Sequence, residues 1–162
     1  MTIRLFLTGG TIDKEYDEIT GELGFEQPHV QEMIKVSRYT GDIEVTQVLL
    51  KDSLDMTQAD RDLIVQACKD AKETHIVATH GTDTMVETAL AIQTANIDKV
   101  IVLTGAMVPY SFGTKSDAMF NLGCALSFVQ VLKPGVYIAM NGHYFDAAAV
   151  RKDKIAGRFV AQ

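Results

Sequence analysis

Residues 74–103, THIVATHGTDTMVETALAIQTANIDKVIVL, decide the fold. The run from Thr74 to Thr79 is short, apolar and β-branched, as a buried strand requires; it stops at the polar turn His80-Gly81-Thr82-Asp83. From about Thr84 to Ala95 the apolar spacing becomes helical, and Lys99 to Leu103 is a second β-branched run. A strand, a helix and a strand in this order form a β-α-β unit, whose crossover makes the two strands parallel.

The same alternation extends outward on both sides. Upstream lie a strand from Thr2 to Thr8, a helix from about Pro28 to Tyr39 with proline at its start, and a strand from Ile43 to Leu50. Thr57 is placed as the N-cap of a helix on which Leu63, Ile64, Ala67, Cys68 and Ala71 form one apolar face. The intervening Thr11–Gln27 segment is rich in Gly, Thr and acidic residues. Downstream, Gly105 to Thr114 reads as a loop, Asp117 to Leu132 as a helix and Gly135 to Met140 as a strand. The tail, Asn141 to Gln162, has weak periodicity and several charges. The expected architecture is α/β: a parallel sheet with helices on both faces, in three layers α/β/α.

A length of 162 residues suits one compact domain. The net charge of −6, without a basic cluster or aromatics interleaved with basic residues, argues against a nucleic-acid partner. The amino-terminal apolar run breaks at Gly9-Gly10, too early for a signal peptide or a membrane span, so a cytoplasmic protein is expected. Cys68 and Cys124 fall on predicted helices with no second Cys or His at metal spacing; both are expected to be buried free thiols. No metal or organic cofactor is implied.

In an open parallel sheet, ligands bind beyond the carboxyl ends of the strands. Four polar turns should therefore converge: Thr8-Gly9-Gly10-Thr11, Asp52-Ser53, His80-Gly81-Thr82-Asp83 and Thr104-Gly105-Ala106-Met107. Glycine permits close backbone approach, and helix amino termini offer N–H groups to an anion or a developing oxyanion. Such a mouth suits a small, polar, negatively charged substrate. A nucleotide loop is the rival, but neither G-x-G-x-x-G nor a Walker-type Gly-Lys-Ser/Thr is present.

Taken together, Thr8-Gly9-Gly10-Thr11-Ile12 and His80-Gly81-Thr82-Asp83-Thr84-Met85 resemble the two signature motifs of bacterial-type asparaginases. Asp52-Ser53-Leu54-Asp55-Met56, Leu103-Thr104-Gly105-Ala106-Met107-Val108-Pro109 and Phe120-Asn121-Leu122 match further segments in the family's order. The resemblance covers essentially the whole chain. It implies the family's amino-terminal, nucleophile-bearing domain over residues 1–162, with a flavodoxin-like sheet. Family enzymes continue into a second, smaller domain that these residues do not match.

The resemblance also implies cleavage of the side-chain amide of L-asparagine, or of L-glutamine, to the acid and ammonia. Thr11 matches the nucleophile. Thr82 and Asp83 match the second threonine and the aspartate of the family's catalytic group, and Asp83 also serves the substrate's α-amino group. Ser53 matches the contact to the α-carboxylate, while Gly10, Gly81, Ala106 and Met107 line the substrate's side of the turns. Met140-Asn141, followed by Asp146 through Lys152, keeps the family spacing that ends on its catalytic lysine, with Ala147 and Ala148 where the family has Gly and Arg. Lys152 is thus the expected lysine, and a neighbouring cation in a dry pocket would help it to accept the threonine proton. Tyr16 is the candidate for the mobile-loop tyrosine, although it follows Thr11 more closely than is usual. His80 is read as a packed strand end.

Two function classes fit these residues: an amidohydrolase acting through a threonine acyl-enzyme, and a non-catalytic aspartate- or asparagine-binding module with the same pocket. A homodimer or higher homo-oligomer is expected. The Asp117–Leu132 helix carries Met119, Phe120, Leu122, Leu126, Phe128, Val129 and Val131 on nearly every side, and must be covered on more than one.

Overall fold

Alternation of apolar residues along the predicted strands sends neighbouring side chains to opposite faces of one sheet, and the computed structural model, which describes residues 1–162, has that sheet at its centre. In chain order the elements are β1 (Thr2–Gly9), β2 (Lys14–Tyr16), β3 (Leu23–Phe25), α1 (Val30–Val36), β4 (Asp42–Lys51), α2 (Gln58–Asp70), β5 (His75–Thr79), α3 (Met85–Thr94), β6 (Val100–Thr104), α4 (Ala118–Phe128), β7 (Gly135–Met140), β8 (His143–Asp146), β9 (Val150–Asp153) and β10 (Arg158–Ala161). Short 3-10 turns cover Thr11–Asp13, Ser53–Asp55, Tyr110–Lys115 and Ala147–Ala149.

The six-stranded sheet runs β4-β1-β5-β6-β7-β8. Its first five strands are parallel, and in their own sequence order they lie 2-1-3-4-5, the flavodoxin-like arrangement. Strand order reverses at β1, so the crevice for a ligand lies beyond the carboxyl ends of β1 and β5. β8 adds to the edge antiparallel to β7, which makes the sheet mixed where a wholly parallel one is expected from the sequence.

Two apolar layers sandwich the sheet. Ile3, Leu5 and Leu7 of β1 and Val77 of β5 pack with Val30 and Met33 of α1 and with Leu122, Ala125 and Leu126 of α4. Phe6 of β1 and Ile76 and Ala78 of β5 point to the opposite face, against Ile64 and Cys68 of α2 and Met85, Ala89 and Ile92 of α3. The three-layer arrangement is thus the expected one, with α1 and α4 on one side and α2 and α3 on the other.

The tail also folds. After β8, β9 and β10 form an antiparallel hairpin, and Val150 and Phe159 from its two strands sink into the α2/α3 layer. The Thr11–Gln27 segment is likewise structured, as a 3-10 turn and the antiparallel hairpin β2–β3. Helix α4 has only one covered face: Leu122, Ala125 and Leu126 are buried, whereas Phe120 is 60 % exposed. Cys124 lies on the open side, half-buried, so only Cys68 meets the expectation of a buried thiol.

Candidate active site

At the carboxyl end of the sheet the turns lock together through backbone. Gly10 has φ +87°, a conformation that L side chains rarely adopt, and a Cβ there would lie 2.5 Å from the Cα of Gly81. Gly81 is closed in from its other side, because a Cβ on it would meet the Cβ and Oγ of Ser53 at 2.6 Å. The turns after β1, β4 and β5 therefore stack in van der Waals contact, and only hydrogen fits between them. Polar bonds reinforce the stack: Thr8 Oγ1 donates to Thr79 O at 2.7 Å, Gly10 N to Lys51 O at 2.9 Å, and Thr84 Oγ1 to Ser53 O at 2.8 Å. The fourth turn joins through His80 N, which donates to Thr104 O at 2.8 Å.

Into this stack the β9–β10 hairpin inserts one cation. Lys152 Nζ donates to Thr82 Oγ1 at 2.7 Å and to Asp83 Oδ1 at 2.8 Å, joining residues about seventy positions apart in the chain. The lysine side chain is 11 % exposed and the Asp83 side chain 39 %, so the ammonium is enclosed while the carboxylate remains open to a ligand. The cluster thus offers a hydroxyl, an amine and a carboxylate within one hydrogen-bond chain, the parts needed to move a proton to and from a small substrate. The charged partner of Lys152 in this arrangement is Asp83.

Thr11 opens the 3-10 turn directly after Gly10 and is half-buried. Because Gly10 and Gly81 touch, Thr11 and Thr82 leave that contact on adjacent stretches of chain. Ser53 is buried beneath Gly81, where its Oγ accepts a long 3.4 Å bond from Thr84 N. Ala106 is buried and Met107 half-buried on the turn after β6. Tyr16 lies outside this group, on β2 and 60 % exposed.

His80 is a packed strand end, as the sequence suggests. It is fully buried, with Nδ1 2.7 Å from Gly81 O and Nε2 2.8 Å from Thr88 Oγ1. A carbonyl only accepts, so Nδ1 carries the proton and Nε2 accepts from the Thr88 hydroxyl. Burial pushes its pKa down to about 4 and keeps it neutral.

Two pairs of residues at the site each join one residue of a quoted motif, Asp52 or Asn121, to one outside the motifs, Lys14 or Asp117. Lys14 Nζ pairs with the Asp52 carboxylate, tying the base of the β2–β3 hairpin to the Ser53 turn, and Asp52 Oδ1 accepts from Leu54 N at 3.0 Å. Asp117 and Asn121 hold the turn after β6. Their spacing of four on a predicted helix was the available signal for the second pair. Nothing local marks Lys14 as the partner of Asp52.

A family model described as the N-terminal domain of asparaginase matches residues 2–158. The chain is 33 % identical to an L-asparaginase of Thermococcus kodakarensis, over 86 % of this chain and 44 % of that protein. It is 31 % identical to L-asparaginase 2 of Escherichia coli, over 93 % of this chain and 46 % of that protein. Among solved structures it resembles the thermostable L-asparaginase of Thermococcus kodakarensis, with a TM-score of 0.84 at 29 % identity, covering 99 % of this chain and 51 % of the other. L-asparaginase I of Vibrio cholerae gives 0.81 at 26 % identity, with the same coverage. The chain spans about half the length of the relatives it matches.

Proposed function

Because this chain belongs to the asparaginase family through that family's N-terminal domain, we propose that it hydrolyses the side-chain amide of L-asparagine, with L-glutamine as a second substrate, through a threonine acyl-enzyme. The observation that carries this reading is the Lys152 ammonium joined to Thr82 and Asp83, beside the turn that bears Thr11. A threonine hydroxyl is a weak nucleophile and needs a proton acceptor as it attacks.

In the proposed reaction Lys152 acts as the neutral amine: Thr11 Oγ1 attacks the side-chain amide carbon while its proton passes by way of Thr82 to the Lys152 nitrogen. Turn N–H groups around Thr82 hold the oxyanion. The proton returns to the departing nitrogen, the C–N bond breaks and ammonia leaves. Water then cleaves the Thr11 ester, releasing the acid and restoring the hydroxyl. Asp83 uses Oδ1 for Lys152, so its open oxygen takes the substrate's α-ammonium. Ser53 and the Gly81 turn serve the α-carboxylate, Gly10, Ala106 and Met107 wall the pocket, and Tyr16 closes it from the β2–β3 hairpin.

Free Cys68 and Cys124 support a cytoplasmic setting, and the uncovered face of α4 supports a homo-oligomer. No helix is long and apolar enough to cross a membrane.

Ammonia release from L-asparagine, measured on this chain and on its Thr11→Ala and Lys152→Met variants, tests the mechanism. Both variants are expected to lose at least about 10²-fold in rate, the usual range for a lost nucleophile-activating step. Undiminished release by Thr11→Ala would remove the threonine mechanism. Calorimetric binding of aspartate without any turnover by the wild type would instead establish the non-catalytic module.

A further inference from the structure

Two polar side chains at the start of α4 are used by none of the chemistry above, yet they hold two of the turns that build the site. Asp117, the residue before the helix, turns its carboxylate toward the turn after β6. It accepts from Met107 N at 3.0 and 3.1 Å and from Val108 N at 2.9 Å. Asn121, one helical turn on, is completely buried. Its Nδ2 donates to Gly105 O at 2.9 Å and to Asp117 Oδ2 at 2.8 Å, while its Oδ1 accepts from Asn141 N at 3.0 Å.

Asn141 has φ +55° and forms the tight corner between β7 and β8, from which the chain runs on to Lys152. One buried amide therefore fastens the end of β6 to the end of β7, and the adjoining carboxylate fixes the two N–H groups that follow Ala106. Gly105 is confined from the opposite side as well, because a Cβ on it would strike the carbonyl of His80. An apolar side chain of the same volume at position 121 would leave the buried Gly105 O without this partner, and would also remove it from Asn141 N and one Asp117 oxygen, which are only partly buried. That is more polar commitment than packing α4 on the sheet requires, and it converges on the turn that carries Ala106 and Met107 and on the β7–β8 corner.

We propose that Asp117 and Asn121 are positioning residues: they set the Gly105–Met107 turn at a fixed height relative to the Lys152–Thr82–Asp83 cluster, and so determine how tightly the substrate is held between the two. Neither touches substrate, and both act through the backbone of that turn. Displacing a substrate-positioning element by about 1 Å costs on the order of 10²-fold in rate, so a small relaxation of this turn is measurable.

The kinetic part of this inference rests on the hydrolase reading, and the structural part does not, so the full chain is measured in two ways. Asp117→Asn keeps the shape of the side chain and weakens its acceptance from Met107 and Val108. With L-asparagine, its KM is expected to rise about tenfold while kcat stays within about threefold, because the Lys152 cluster is left in place. By amide hydrogen exchange, Met107 and Val108 are expected to exchange at least about tenfold faster than in the wild type, with β5 unchanged. Asn121→Ala is expected to loosen Asn141 as well, and to lower kcat in addition.

An unchanged KM in Asp117→Asn overturns the proposal, and so does exchange that is unchanged or raised uniformly across the sheet. If the wild type releases no ammonia, the hydrolase reading falls by itself. Exchange localised to residues 107, 108 and 141 then still upholds the positioning role, and its absence overturns it.

Discussion

His80 and Asp13 are two buried titratable residues beside the candidate site that respond to pH in opposite senses. Burial holds His80 at about 4, below its unfolded value of ~6.5. The unfolded chain alone binds that proton between these values, so stability present above pH ~6.5 is lost as pH falls toward 4. Asp13, in the 3-10 turn that begins with Thr11, is raised by burial to about 6, while its Oδ1 accepts from His29 N at 2.9 Å. Here the folded chain binds the extra proton, so stability falls as pH rises from ~4 through 6. Asp13→Asn removes only the second slope. Its stability relative to wild type is expected to rise by about 2 kcal/mol between pH 4 and pH 7, most of a shift of about two pKa steps. Urea midpoints of both proteins at the two pH values measure this, and a pH-independent difference would show that Asp13 does not titrate in the native state. Of the site residues, those in glycine turns were legible as sequence because each turn is a local chemical pattern. Lys152 was reached by spacing alone, and its bonds to Thr82 and Asp83 needed the hairpin to be seen in place.

The legible elements are those whose stop and start signals are local. Thr57 was readable as an N-cap, and the structure completes a capping box: Thr57 Oγ1 accepts from Asp60 N at 3.3 Å, and Asp60 Oδ2 accepts from Thr57 N at 2.8 Å. Asp60 is also paired with Lys51 at the end of β4, so the start of α2 is pinned to the strand that precedes the Ser53 turn. Thr57→Ala is expected to cost about 1 kcal/mol in urea unfolding, with the Lys51 pair retained. A loss below a few tenths would assign the anchoring to Lys51 and Asp60 alone. The β2–β3 and β9–β10 hairpins escaped because strands of three or four residues are too short to show a period. Val150 and Phe159 are buried only because the hairpin packs over the α2/α3 layer, a contact that no window of sequence contains.

For the molecule as a whole, the open face of α4 is the main unmet demand. Met119, Phe120, Gly123, Cys124, Ser127 and Phe128 line a shallow apolar depression there, and no charged side chain lies on the helix. Exposed apolar surface of this kind favours association, and the chain is expected to scatter light as a dimer or larger at micromolar concentration. Phe120→Glu, at a position already 60 % exposed, is expected to shift it toward monomer without lowering its thermal midpoint. A wild type that is monomeric throughout would dispose of the expectation. The sequence by itself determined the β-α-β alternation, the two-sided sheet and the identity of the turns, since periodicity, capping and glycine chemistry act over a few residues. Tertiary structure alone decided the strand order around β1, the antiparallel β8, the seating of Lys152 on Thr82 and Asp83, and the hold of Asn121 on two turns. Apart from the β7–β8 pairing, which is a local hairpin, these join segments far apart in the chain, and which of them meet is set by the packing of whole faces, with only weak dependence on the length of chain between them.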